Sequence, residues 1–215
     1  MERERFMVPR TEWGDGPWTE EPDRIEWRTL GLPCLIVRGY TGALCGYVGL
    51  PPTHRDYARH YDSVPTDHAH GGLTFAGYCS GHICHAPKAG ETDLVWWLGF
   101  DCAHASDVSP AMQAYQRQHL PGYVADYLTG TLSGLWLESY KPVPYVAASV
   151  TALAYEMAAR GPRNVSRERW WWWHVAQAKQ FCLQDLPAMW KRIYLEQDRF
   201  GFSSEQWEAF GGRGR

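Results

Sequence analysis

From Ile25 to His104 the chain alternates short apolar runs with turn residues. IEWRT, LPCLIVRGY, ALCGYVGL, GGLTFAGYC and DLVWWLGFD are rich in β-branched and aromatic side chains, and Gly, Pro and Asp punctuate them. Their close spacing favours an antiparallel sheet over βαβ units. RGYTGALCGYV predicts a hairpin with Tyr40-Thr41-Gly42 at its turn. PPTHRDYARHYDSVPTD, which carries His54 and His60, predicts a long loop or a short helix.

After Asp107 the period lengthens. Ser109-Pro110 predicts a capped helix start, with the helix running to about His119 before Pro121. Residues 121–142 carry no clear period, and Gly130 and Gly134 argue against a long helix there. Pro144 to Arg160 predicts the clearest helix, with Val146, Val150, Leu153 and Met157 as its apolar stripe and Gly161-Pro162 as its stop. Ser166 predicts the start of another helix through Trp171, Val175, Ala178 and Cys182. Further helical segments follow Pro187 and Ser203, before a GGRGR tail. The pattern therefore predicts an α+β fold in one domain over residues 1–215, an antiparallel sheet packed against C-terminal helices. Residues 1–24 form an irregular arm, 25–107 are β-rich and 108–210 are mainly helical.

Composition adjusts this picture in a few places. Hydrophobic residues at 45% and charged residues at 21% fit a chain with a sizeable core. A net charge of −3 is not the footprint of a general nucleic-acid binder. No run reaches the length needed to span a bilayer, and MERERFMVPR lacks the apolar segment of a signal peptide. The expected compartment is the cytoplasm, and the six cysteines are expected to be reduced. The twelve tryptophans exceed what a core of this size requires, so a minority are expected to wall a ligand site. Four in a row, Trp170–Trp173, cannot all face the core of one helix; some must contact another element, another subunit or a ligand, and a homodimer or a host-protein partner would cover such a surface.

Candidate chemistry gathers in three stretches. In GFDCAHASD a buried strand ends in Asp101, Cys102, His104 and Asp107. Alternation places Trp97, Gly99 and Asp101 on one face and Trp96, Leu98, Phe100 and Cys102 on the other. Asp101 and His104 converge only if the strand stops near Asp101, so that the loop delivers His104 and Asp107 to the mouth of the following helix. That mouth would suit an anion; a solvated turn capped by Asp107 is the plain alternative. In DHAHGGLT, His68, His70 and Thr74 share one face of an extended chain, and Gly71-Gly72 permits close approach. In CSGHICH, Cys79, His82, Cys84 and His85 form half of a zinc pattern without a matching second half, which reads better as a turn with two half-buried cysteines. The cations nearest in sequence are Arg38, Arg55, Arg59 and Lys88. No phosphate loop, dinucleotide fingerprint, nucleophile elbow or HExxH is present.

GPWTEEPDRIEW, GLPCLIVRG, GALCGYVGLPPTH, HGGLTFAG and WWLGFDCAHASD resemble a group of small proteins of bacteriophages and prophages, over about Gly16 to Asp107. The resemblance brings no mechanism. It implies an accessory protein of the kind that counters host defence, acting in the host cytoplasm, and by association one that sequesters or cleaves a nucleotide signal.

The first expectation is therefore a protein that binds a small anionic, nucleotide-like ligand. Its contacts would come from His68, His70, Thr74, Asp101, His104 and Asp107, with Trp96 or Trp97 as a wall. The first alternative is a metal- or His-dependent hydrolase of phosphodiesters or nucleotides at the same residues, with a divalent ion held by His68, His70, Asp101 and His104. The second is an inhibitor that docks a host protein through exposed tryptophans.

Overall fold

The computed structural model describes residues 6–85, 87, 94–122, 124 and 139–161. The five predicted β runs form strands β1 (Arg24–Thr29), β2 (Leu32–Arg38), β3 (Leu44–Leu50), β4 (Phe75–Tyr78) and β5 (Trp96–Asp101). They make one sheet in the order β1-β2-β3-β5-β4, with every neighbouring pair antiparallel. The hairpin turn between β2 and β3 is where the sequence places it, closed by Gly42 N–H to the Gly39 carbonyl at 3.0 Å. Helix α1 spans Pro110–His119 and helix α2 spans Val143–Arg160, so the α+β class holds. The predicted helices beyond Gly161, including Trp170–Trp173, lie outside the described residues.

All seven residues of β2 are buried, because both faces of the sheet are covered. On one face, Cys34 and Ile36 join Val48, Leu98 and Phe100 beneath the α2 stripe of Val146, Val150, Leu153 and Met157. On the other, Leu35, Val37, Tyr47, Val95 and Trp97 pack around Ile83. Ile83 lies in a segment that Arg24 holds by donating to the carbonyls of His82 and Cys84. A Ser80–Ile83 bridge turns this segment and brings the Cα atoms of Cys79 and Cys84 to 4.8 Å, and a disulfide joins them. The expectation of reduced cysteines fails at this pair; Cys34, Cys45 and Cys102 are free.

The N-terminal arm carries two short 3-10 helices, Arg10–Glu12 and Pro17–Thr19, and is anchored. Val8, Trp13 and Trp18 pack against Ala111 and Ala114 of α1. Arg38, whose side chain is fully buried, donates to Asp23 at 2.8 Å, Glu21 at 3.2 Å, the Gly42 carbonyl at 3.0 Å and Tyr140 at 2.7 Å. Glu21 also accepts from the Val143 N–H at 2.8 Å, capping α2 from the far end of the chain. Arg38 is thus committed to structure and is no candidate for holding a phosphate.

Candidate functional site

The strand β5 ends at Asp101, as convergence of its following loop requires. The loop then turns tightly, with the Asp107 N–H donating to the His104 carbonyl at 2.8 Å. Asp107 bridges in parallel to Ser139, which leads into α2. The Asp107 side chain, at zero exposure, lies between its own loop and two segments distant in sequence, the His70 turn and the stretch that carries Lys141.

Four groups meet that carboxylate. Its Oδ2 lies 2.8 Å from His70 Nε2, 3.2 Å from His104 Nδ1 and 3.0 Å from the main-chain N–H of His104. Lys141 Nζ stands 3.5 Å from Oδ1. That separation supports charge attraction but is too long for a well-formed hydrogen bond, and Oδ1 has no hydrogen-bond partner among the described residues. Burial pushes the Asp107 carboxyl up; the hydrogen bonds from His70 and from the His104 main chain outweigh it and hold the group below its ordinary value. An ionised carboxylate only accepts, so His70 carries its proton on Nε2 and His104 on Nδ1 in this arrangement. His70 Nδ1 then accepts from the Tyr145 hydroxyl at 2.9 Å. Burial, and after it the charge of Cys102 and Asp107, raises that phenol.

His104 is placed by the Gly71-Gly72 turn. Gly71 has φ +65°, and a Cβ built there would fall 2.3 Å from the His104 ring. The close approach that the glycine pair permits is therefore to an imidazole. Gly72 has φ +94° and open space around it.

The expected constellation is only partly assembled. His70, His104 and Asp107 come together, each offering an atom within 4.8 Å of the others. His68 does not join them: residues 67–72 turn instead of extending, so His68 is exposed and its N–H donates to Thr66 Oγ1 at 3.1 Å. Thr74 and Asp101 pair with each other at 2.8 Å, and the other Asp101 oxygen accepts from Ala103 N–H at 3.0 Å. The metal set expected from His68, His70, Asp101 and His104 is corrected to His70, His104 and Asp107. Trp97 is enclosed in the second core cluster, with zero exposure, and cannot wall a ligand. Trp96 begins β5, about 17 Å along the strand from Asp101 at ordinary strand rise. Its indole donates to the Arg59 carbonyl at 3.0 Å, and its ring meets Tyr57 and Tyr78.

The mouth of α1 is closed as well. The N–H groups of Ala111 and Met112 both point to the Thr41 carbonyl of the hairpin turn, at 3.0 and 3.2 Å. The free donors that would have suited an anion are taken. Lys141 and Tyr145, which flank the start of α2, are the site residues that sequence pattern misses.

The site thus has the parts of a metal centre. Two imidazole nitrogens and a carboxylate oxygen are the donor set of many catalytic zinc sites. Tyr145 stands where an outer partner would fix the second nitrogen of His70. Both imidazole nitrogens gather on Asp107 Oδ2, while Oδ1, beside Lys141, has no hydrogen-bond partner among the described residues. Comparison of the chain with protein-family models, curated proteins and solved structures finds no match.

Proposed function

We propose that the protein is a divalent-metal-dependent hydrolase of a small phosphate-bearing, nucleotide-like substrate, with His70 Nε2, His104 Nδ1 and Asp107 as ligands. The observation that carries this reading is the convergence of three ligand atoms from residues 70, 104 and 107 within 4.8 Å. A carboxylate at the centre and a blocked helix mouth argue against direct capture of an anion by the same residues. A bound ion would supply a Lewis acid and lower the pKa of a water toward neutrality. The protein's own part is to hold the ligands and to move two protons. His70 must carry its proton on Nδ1 and donate it to the Tyr145 oxygen, while His104 shifts its proton to Nε2. Tyr145 then changes from donor to acceptor, and its own O–H is released toward substrate.

Titration calorimetry with zinc chloride, followed by a screen of phosphodiesters and cyclic nucleotides, tests this. The wild type is expected to bind one zinc ion and to turn over a phosphodiester, and His70→Ala to do neither while keeping its circular dichroism spectrum. A folded wild type that binds no divalent ion would overturn the reading. Metal-dependent binding without turnover would reduce it to sequestration of the ligand.

A further inference from the structure

Lys141 is the group whose position the metal reading does not by itself explain. Its ammonium lies 3.5 Å from Asp107 Oδ1, 2.5 Å from Ser139 Oγ and 5.6 Å from the centre of the Tyr145 ring. The side chain is only 17% exposed. A cation held against a ligand carboxylate competes with a metal ion for the same charge. It is also a ready partner for an oxyanion, as a compact point charge on a flexible stem.

We propose that Lys141 is the anion anchor of the site and that binding is ordered, metal first and oxyanion second. The inference rests on the metal reading above. While Lys141 pairs with Asp107, its charge is committed to the carboxylate, and a phosphate approaching it also meets the Asp107 charge. A divalent ion on His70, His104 and Asp107 takes over the carboxylate's charge and repels the ammonium. Lys141 is then released from Asp107 to meet an approaching oxyanion. The substrate class is accordingly a phosphate or phosphate ester, bound only to the metal-loaded protein. Ser139 and the capped start of α2 keep the lysine stem close enough to make the exchange.

This predicts two effects of opposite sign from one substitution. Lys141→Gln removes the competing cation, so zinc binds about tenfold more tightly, while inorganic phosphate binds the zinc-loaded protein about tenfold more weakly, at the lower end of ordinary coupling between sites. A purely structural lysine would weaken both on removal. Lys141→Arg keeps the charge and is expected to retain phosphate binding. The measurement is calorimetric: zinc chloride into metal-free protein, then inorganic phosphate into zinc-loaded protein cleared of excess metal. The wild type alone supplies a further test, because metal-free protein should take up no phosphate. Zinc binding without phosphate binding in the wild type, phosphate binding by metal-free protein, or unchanged phosphate affinity in Lys141→Gln would each overturn the anchor while leaving the metal site standing. Failure of the wild type to bind zinc would instead remove the reading beneath it.

Discussion

Asp56 and Asp107 are both buried aspartates with a histidine beside them, at 1% and 0% side-chain exposure, yet their surroundings are opposite in kind. Asp56 gives one oxygen to Arg59 at 2.8 Å and the other to Arg160 at 3.0 Å. Its neighbour His54 accepts from the Asp56 N–H and donates from Nε2 to the Met157 carbonyl at 2.9 Å. Both Asp56 oxygens and both His54 ring nitrogens have a partner, and guanidinium groups neither ligate metals nor give up protons. The result is a clamp on the C-terminal end of α2. Asp107 is held instead by two imidazoles that can trade protons and lone pairs, one of them 33% exposed, and an oxygen is left over. Burial of a carboxylate says little about role. The chemistry of its partners says more.

The largest separation between the two should come from alanine substitution. Asp107→Ala is expected to weaken zinc binding by more than about 100-fold, beyond what loss of an outer partner costs. Asp56→Ala should leave zinc affinity unchanged within about twofold. It should cost about 2–4 kcal/mol in urea unfolding, somewhat under a fully buried pair because Arg59 is 45% exposed. Equal loss of zinc in both variants would erase the distinction.

A finer contrast uses the glycine pair. Alanine at 71 or 72 forces a left-handed residue, which for the backbone alone should cost about 1–2 kcal/mol at either position. Only Gly71→Ala collides with His104, so it alone should lower zinc affinity, by about tenfold or more as for other supporting groups of a metal site. Equal affinities in the two variants would mean that His104 is not placed by this turn.

The smallest effect is one of pH. Burial holds the His54 pKa below its ordinary 6.5. As pH falls below 6.5 the unfolded chain binds a proton that folded His54 does not, so stability drops. Asp107, held low, contributes stability above the ordinary carboxylate range and loses it only as pH falls through its folded value. Thermal unfolding of the wild type should therefore decline more steeply below pH 6.5 than that of His54→Gln. Parallel curves would show that His54 is not the group responsible.

Much of the fold is legible because its signals are local. The turn at Gly42, the Ser109-Pro110 start of α1 and the Val146 to Met157 stripe each lie within one short window, and each is found where the pattern puts it. The site is legible by residue type and not by partnership. His70, His104 and Asp107 stand out as chemistry, but whether His70 shares a face with His68 depends on residues 67–70 turning instead of extending, which residue type alone does not announce. Lys141 and Tyr145 arrive through a parallel bridge at Ser139 that no local pattern announces. One signal was there to use: a lysine immediately ahead of a helix N-terminus faces the positive end of the dipole, so something other than helix stability has to hold it there.

The cap that Glu21 places on α2 also sets a sequence of events in folding. Glu21 and Val143 are 122 positions apart, so this bond closes a very long loop. Contacts of such separation form slowly and late. The hairpins of the sheet can assemble while the arm waits, and the Ser139 bridge and the α2 stripe can bring Lys141 and Tyr145 close, but the first turn of α2 lacks its Glu21 partner until the arm meets it. A chain in which that step is delayed would carry a finished sheet beside a helix whose first turn is still uncapped.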